Sequence, residues 1–362
     1  MKITIDQSVL ASGLAHVQSA VSNRPTIPVL SNLLLKAENG QLAITATDLD
    51  LSISTSLSCS VEADGTTTLP AKKLIQIIRQ LNDAPVTIVT DENHVSSISC
   101  HNSFFRLLGI SGSEFPTEDG LDEARTFTLP NLQLRKMLEK ISYSVSTDET
   151  RHVLNGILLS IRESTLTAVA TDGRRLALIE TVLDSSEVVD GDTILPSKAV
   201  SELQKLLSDA GEVKISMGEN RALFETNTTI MRTKLVEGTY PNYRQVIPGG
   251  FSQMIEIPRE ELSRALSRVS LILTESGSSV KLDMQSDKVI LSASSNADES
   301  SEPIPVTYLG ESLAISFNPN FLHEPLKKLD CNNITIKFND KISPIGIFGD
   351  EGFLYVIMPM RN

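Results

Sequence analysis

The 362-residue chain is poor in the residues that small disulfide-bonded domains, metal sites and common catalytic centres depend on. Its three cysteines, Cys59, Cys100 and Cys331, are odd in number and have no Cys-x-x-Cys spacing, which argues against a disulfide framework or a zinc site and for buried free thiols. The five histidines, His16, His94, His101, His152 and His323, fall in no ligand spacing. HExxH, GxGxxG, GxSxG and GxxxxGK followed by Ser or Thr are all missing, so no metal, no cofactor and no catalytic residue is expected. No apolar run reaches the roughly 18 residues that suggest a membrane span. The first residues, MKITIDQSVL, alternate like a strand and hold no apolar core of signal-peptide length, from which a cytoplasmic location is expected. An enzyme therefore has little support. A secreted β-repeat protein, which the many Ser and Thr residues would allow, is disfavoured by the missing signal sequence.

Positive charge is also in short supply, with 32 Lys and Arg against 45 Asp and Glu and a formal net charge of −13. Its distribution matters more than its total. Periodicity predicts helices at roughly 7–23, 71–81, 131–144, 197–208, 259–270 and 320–329. The first carries no charge. The other five hold 13 basic residues and 5 acidic ones, leaving 19 basic and 40 acidic residues elsewhere. Glu forms helices as readily as Lys, so its scarcity there points to a basic face within an acidic body.

What the chain does contain is repetition. LNGILLSIRESTLTAVATDGRRL, Leu154 to Leu176, aligns without a gap on the stretch that begins at Leu30, 124 positions earlier, with Leu42 on Leu166 and Ala46-Thr47-Asp48 on Ala170-Thr171-Asp172. A third, more diverged copy has Leu282 and Val289 where the first has Leu35 and Leu42. A period of roughly 120 residues is too long for a solenoid unit and suits a domain present three times, with expected boundaries at 1–121, 122–245 and 246–362.

Each copy is expected to hold two helices on one face of about eight short antiparallel strands, an α+β unit. In copy one the expected strands include Leu51 to Val61 and Phe104 to Leu108. Proline heads the later helices, at Pro70, Pro130, Pro196, Pro258 and Pro319, where its missing N–H does no harm. Pro325 lies inside the last helix and should kink it. Two prolines within Glu302 to Pro305 suggest an edge strand or a bulge. The acidic segment Thr117 to Arg125 reads as a linker, and the connection after the fifth helix is short, around Glu275 to Ser279. Six helices about 10 Å across, set in a circle, enclose a hole of roughly 10 Å, less than the roughly 16 Å of two DNA groove depths; twelve leave roughly 28 Å. If the helices line a hole for DNA, two chains are needed.

Several separated motifs, NRPTIPVLSNLLL, ATDLD, LPAKK, ATDGRRLA, TKLVEGTYPNYRQVIP and the terminal YVIMPMRN, together resemble the bacterial DNA polymerase III β subunit, the sliding clamp, along the whole chain. The resemblance implies a homodimer, head to tail, that forms a six-domain ring on double-stranded DNA, with basic helices inside and no catalytic activity. It implies a pocket for short apolar peptide motifs of the replicative polymerase α subunit, the clamp loader, other polymerases and repair proteins. Matched by motif, that pocket comprises Arg151, Leu154, Thr171, Gly173, Arg174, Arg175, Leu176, Pro241, Val246, Asn318, Phe321, Ile342, Pro344, Val356, Met358, Pro359, Met360 and Arg361. Adaptable Met side chains suit a site with many clients. Gln245 stands where the family often has Arg. The DNA-facing residues it implies are Arg24, Lys72, Lys73, Arg79, His152, Lys198 and Lys205, and the subunit interface it implies uses Phe105, Leu107, Leu271 and Ile272.

Overall fold

The computed structural model describes residues 1–22, 27–116, 121, 125–184, 189–273, 279–295 and 298–360. The first copy supplies β1 (Lys2–Asp6), α1 (Gln7–Val17), β2 (Asn32–Glu38), β3 (Gln41–Thr47), β4 (Leu51–Ser58), β5 (Ser60–Ala63), β6 (Gly65–Pro70), α2 (Ala71–Gln80), β7 (Pro85–Thr90), β8 (Val95–Cys100), β9 (Ser103–Leu108) and β10 (Ile110–Ser111). The second supplies β11 (Arg125–Pro130), α3 (Asn131–Ile141), β12 (Gly156–Arg162), β13 (Thr165–Thr171), β14 (Arg175–Val182), β15 (Gly191–Pro196), α4 (Ser197–Leu206), β16 (Glu212–Met217), β17 (Arg221–Glu225) and β18 (Thr229–Lys234). The third supplies β19 (Gln253–Pro258), α5 (Arg259–Val269), β20 (Val280–Gln285), β21 (Lys288–Ser295), β22 (Asp298–Pro305), β23 (Leu313–Phe317), α6 (Pro319–Lys328), β24 (Asn333–Phe338), β25 (Ile345–Phe348) and β26 (Phe353–Ile357). Every strand pairing among the described residues is antiparallel.

The chain divides into two compact units, Met1–Leu134 with Ser201–Leu235, and Arg135–Val200 with Val236–Asn362. The dividing line runs through the middle copy because its strands belong to different sheets. The first unit holds a five-stranded sheet in the order β5-β1-β7-β8-β9 and a nine-stranded sheet in the order β10-β6-β2-β3-β4-β18-β17-β16-β11. The second holds an eight-stranded sheet, β15-β12-β13-β14-β26-β25-β24-β19, and a four-stranded sheet, β22-β21-β20-β23. Copies one and two meet where β4 pairs with β18, from Leu51↔Thr233 to Thr55↔Thr229. Copies two and three meet where β14 pairs with β26, from Arg175↔Ile357 to Ile179↔Phe353. Both partners of the second junction lie 124 residues beyond those of the first (51 to 175, 233 to 357), so one joint is built twice.

The helices form as their periodicity requires. In α2, Ala71, Leu74, Ile75 and Ile78 are buried while Lys72, Lys73, Gln76 and Arg79 face water or its margin. In α5 the buried set is Leu262, Ala265, Leu266 and Val269. Gly13 lowers the helix propensity of α1 but allows close approach, because a Cβ there would lie 2.5 Å from Leu57 Cδ1. Within the first unit α1 and α2 pack together, α1 on β1, β3 and β4 and α2 on β2 and β6. Within the second, α5 packs on α6 and on β19, β21, β22 and β24. Each of these helix pairs therefore lies against strands of two sheets, where a single sheet face was expected.

Other expectations need correcting. The first helix ends at Val17 and gives way to a 3-10 turn, Gln18–Ala20. The run Leu51 to Val61 breaks at Cys59, because β4 pairs with β3 and β18 while β5 crosses to β1 in the other sheet. The helix holding Pro325 continues through it, Pro319–Lys328. The proline-bearing strand β22 is an edge strand, as its composition suggests, and starts earlier, at Asp298. Arg125 opens β11 instead of closing a linker. Most of the expected linker and most of the connection at 275–279 lie outside the described residues.

Candidate functional site

The expected pocket residues that are described all belong to the second unit. Their centre is the turn between β13 and β14. Asp172 Oδ1 accepts the N–H groups of Arg174 and Arg175 at 2.8 and 3.1 Å, and Thr171 Oγ1 accepts Gly173 N–H at 3.1 Å while donating to the Arg175 carbonyl at 2.6 Å. Gly173 has φ +87°, a conformation in which any Cβ is strained. Copy one builds the same device: Asp48 Oδ1 accepts from Asp50 and Leu51, Thr47 Oγ1 accepts from Leu49, and Leu49 itself stands at φ 78°. The Ala-Thr-Asp motif is thus a turn in both copies, and what distinguishes copy two is the pair of arginines after it.

Those arginines have different surroundings. Arg174 is exposed. Arg175 is only 9 % exposed and engaged: its Nε donates to Asp172 Oδ2 at 3.0 Å, one guanidinium nitrogen pairs with Glu324, another donates to the Tyr143 carbonyl at 2.6 Å, and the group stacks 4.3 Å from the centre of the Phe321 ring. It holds β14 to α6 with three of its five N–H donors, so it is a structural brace as well as an expected contact residue. Arg151 braces the turn from outside, donating to the Asp172 carbonyl at 3.3 Å and pairing with Asp148 at 3.6 Å.

Leu154, Leu176 and Val356 share one apolar cluster with Leu158, Val169, Leu178, Ile194, Tyr240 and Tyr243. Around it Pro241, Val246, Ile342 and Met358 are exposed, and Phe321, Pro344, Pro359 and Met360 are half-buried. Asn318 caps α6, its side-chain oxygen accepting Asn320 N–H at 2.9 Å. The end of the chain is tied down by Met358 N–H to the Arg174 carbonyl at 3.1 Å and Met360 N–H to the Ser316 carbonyl at 2.8 Å. Arg361 lies outside the described residues. Sequence reasoning missed Tyr240, Tyr243, Glu324 and Tyr355. The tyrosines flanking Pro241 in the TYPNYRQV motif were a usable signal, since a Tyr among apolar residues carries both area and a polar tip. Also missed was a cleft of about 630 Å³ beside the cluster, lined by Leu178, Tyr243, Ile247, Phe348, Phe353 and Leu354 with Glu180, Arg244 and Asp350.

The helix cations divide into two groups. Lys136 pairs with Asp330 at 2.9 Å, Lys140 with Asp350 at 2.5 Å, Arg135 with Glu139 at 3.9 Å and Lys205 with Glu202 at 2.7 Å, while Arg264 pairs with Glu260 and Arg268 with Glu302. Arg259 donates to the Cys331 and Leu326 carbonyls. Lys72, Lys73, Lys198, Lys327 and Lys328 are exposed, as is Arg79, which donates to Gln18 at 2.6 Å. Lys327 and Lys328 were not among the expected DNA-facing residues. His152 is exposed in the 3-10 turn Glu149–Leu154, and Arg24 lies outside the described residues. The Lys136 ammonium holds the Asp330 carboxyl below its usual range, with Lys140 adding to it. At Asp350 burial pushes the carboxyl up, but the Asp330 N–H and Lys140 outweigh it and the net shift is downward.

The edge strand β9 differs from expectation at one residue. Leu107 is only 8 % exposed and pairs across to buried Ser96, so it belongs to the core, whereas Phe104 and Leu108 are 65 % and 71 % exposed and Phe105 is 36 % exposed. Alternation put Phe105 and Leu107 on one face, but burial along that face is uneven: it covers Leu107 and leaves Phe105 open. Leu271 is exposed and Ile272 half-buried. Among the described residues no group of three or more His, Cys, Asp or Glu side chains could hold a metal ion, and no helix is long and apolar enough to cross a membrane.

Three copies of one α+β unit, joined by sharing sheets, define a protein of tandem DNA-clamp domains. Family profiles match in the same order: DNA polymerase III beta subunit, N-terminal domain, over residues 1–119, central domain over 128–242, and C-terminal domain over 244–361. The chain belongs to the DNA polymerase III beta subunit family. It is a DNA sliding clamp, a processivity factor and not a catalyst, and DNA and polymerase are its partners. The beta sliding clamp of Haemophilus influenzae is 35% identical over 367 residues and that of Chlamydia muridarum 34% over 362, covering 100% of this chain and 100% and 99% of the relatives. Among solved structures, the Pseudomonas aeruginosa DnaN sliding clamp bound to griselimycin matches with TM-score 0.96 at 30% identity over all of both chains. The Bacillus subtilis DNA polymerase sliding clamp matches with TM-score 0.96 at 29% identity, over 100% of this chain and 99% of that one.

Proposed function

We propose that two copies of this chain close head to tail into a six-domain ring around duplex DNA, with domains at 1–121, 122–245 and 246–362, and that the ring works in the cytoplasm. The observation that carries this is the unfinished sheet at each end. Every junction inside the chain pairs the strand following the Ala-Thr-Asp turn, or its repeat equivalent, with the closing strand of the next copy: β4 with β18, β14 with β26. The equivalent strand of copy three is β22, which begins 123 residues after β14 (175 to 298), and among the described residues it is an edge strand paired only with β21. The closing strand of copy one is β9, which among the described residues is likewise an edge strand, paired only with β8. A β22 from one chain set beside the β9 of its partner would join four strands to five, making nine, the number already present in the first internal sheet. It would also cover Phe104 and Leu108, whose exposure on a bare strand edge would otherwise invite aggregation. Phe105, Leu271 and Ile272 belong to the same contact.

In this reading Lys72, Lys73, Arg79, Lys198 and Lys205, with Arg24 and His152, face phosphates, and Lys327 and Lys328 join them. Their screened contacts let the ring slide, while enclosure prevents escape. The apolar cluster under Leu154, Leu176 and Val356, rimmed by Arg151, Thr171, Gly173, Arg174, Pro241, Val246, Met358 and the first turn of α6, takes short apolar peptide segments of the polymerase α subunit, clamp loader, other polymerases and repair proteins. Griselimycin is bound by the Pseudomonas aeruginosa clamp, and in this reading it takes the same pocket here. The test is retention: loaded protein should stay on nicked circular DNA and run off the same DNA once it is cut to a linear form. Equal loss from both forms would refute enclosure.

A further inference from the structure

In a regular helix the residue four places after Phe321 donates its N–H to the Phe321 carbonyl, but here that residue is Pro325, which has no N–H. The Tyr355 hydroxyl takes the carbonyl instead, at 2.8 Å. Tyr355 is fully buried and comes from β26, one position before Val356. Successive strand residues point to opposite faces, so Tyr355 reaches α6 while Val356 enters the apolar cluster with Leu154 and Leu176. The phenol is itself held, its ring 6.0 Å from that of Tyr143, and burial pushes its ionisation above the ordinary phenol range, so it stays a neutral donor. One residue before Pro325, Glu324 is bound to Arg175, whose guanidinium lies over the Phe321 ring.

We propose that Tyr355 is a positioning residue for the peptide pocket. By taking the carbonyl that Pro325 leaves without a donor, its hydroxyl fixes the turn of α6 bearing Asn318 and Phe321 against the strand that leads to Val356 and Met358. Arg175 braces the same turn through Glu324, so the two walls of the pocket are joined at two points, one charged and one neutral. The proposal rests on the peptide-pocket reading above, and its test separates the two. Tyr355→Phe, Pro325→Ala and the double variant are compared by griselimycin titration and by hydrogen exchange over residues 319–324 in the unliganded protein. Tyr355→Phe alone should weaken griselimycin roughly three- to tenfold, the value of one hydrogen bond, and speed exchange in that turn. With Pro325→Ala, residue 325 regains its N–H, and Tyr355→Phe should then change affinity less than about twofold and exchange not at all. Equal losses in both backgrounds would mean that Tyr355 only packs, and unchanged exchange would mean that no tether exists; either overturns the proposal. Met358→Ala checks the pocket: if griselimycin binding survives it intact, the pocket reading falls, and the positioning role with it, while the exchange result still decides whether the tether is real.

Discussion

The closure at β9 can be broken by replacing Phe104 and Leu108 together with Ser. Burying a Phe or Leu side chain completely stabilises by about 1.5–3 kcal/mol. These two are 65 % and 71 % exposed, so each gains roughly two thirds of that on docking, about 1–2 kcal/mol, and one interface should lose about 2–4 kcal/mol. A ring of two chains has two identical interfaces and comes apart only when both open. The dissociation free energy of the dimer should therefore fall by about 4–8 kcal/mol, a weakening of about 10³- to 10⁶-fold. Sedimentation velocity over a dilution series reads the shift directly, and circular dichroism checks that the fold is kept, as it should be when only exposed side chains change. Leu107→Ala is the contrasting variant: it empties core volume beside Ser96 and should cost about 2–5 kcal/mol of folding stability. A double variant that sediments as a dimer at the same dilution as the parent chain would refute the assignment of β9 to the interface.

Lys140→Met removes the buried partner of Asp350 and a second partner of Asp330, and should cost about 3 kcal/mol at neutral pH, seen as a lower urea midpoint. Because both carboxyls are held below their ordinary range, their contribution is full above an unfolded pKa of about 4 and is lost as pH falls through the folded value, so the gap between variant and parent should narrow in acid; a gap that widens would refute the pairing. Lys72→Ala with Lys73→Ala should weaken equilibrium binding to linear duplex and flatten its dependence of log K on log salt by up to about 0.9 per lysine, while leaving retention on nicked circles unchanged once loaded.

Much of the fold was legible because each element has its own local cause. The repeat carried the domain order, periodicity found the six α-helices among the described residues, and Pro placed the beginnings of the last five. What escaped is long-range. Nothing local tells Leu51 to Ser58 from Ser60 to Ala63, yet the first pairs with a strand of another copy and the second with β1. Alternation assigned Phe105 and Leu107 to one face, but only the fold decides that Leu107 is covered and Phe105 left open. Within the candidate site, Arg175 reads as a ligand-facing cation, and nothing local shows that it also braces Glu324 from 149 positions away. Pro325 reads as a lost hydrogen bond inside the last helix, and only the fold shows that Tyr355 supplies the missing donor.

The same long-range pairing revises the charge argument. Counted along the chain, the helices carry a large cationic surplus, but Lys136, Lys140 and Arg268 are answered by Asp330, Asp350 and Glu302, all outside helices, and Arg259 is absorbed by carbonyls. Those four cations serve the fold. The exposed lysines that remain, chiefly Lys72, Lys73, Lys327 and Lys328, make a sparse set in which each phosphate contact is weak and salt-screened. A protein that had to hold DNA by attraction would need more of them free. One that holds it by enclosure needs its strength in the joints instead, and the chain spends its apolar edge residues and its shared sheets there, so that losing two side chains at β9 should matter more to retention than losing two lysines from α2.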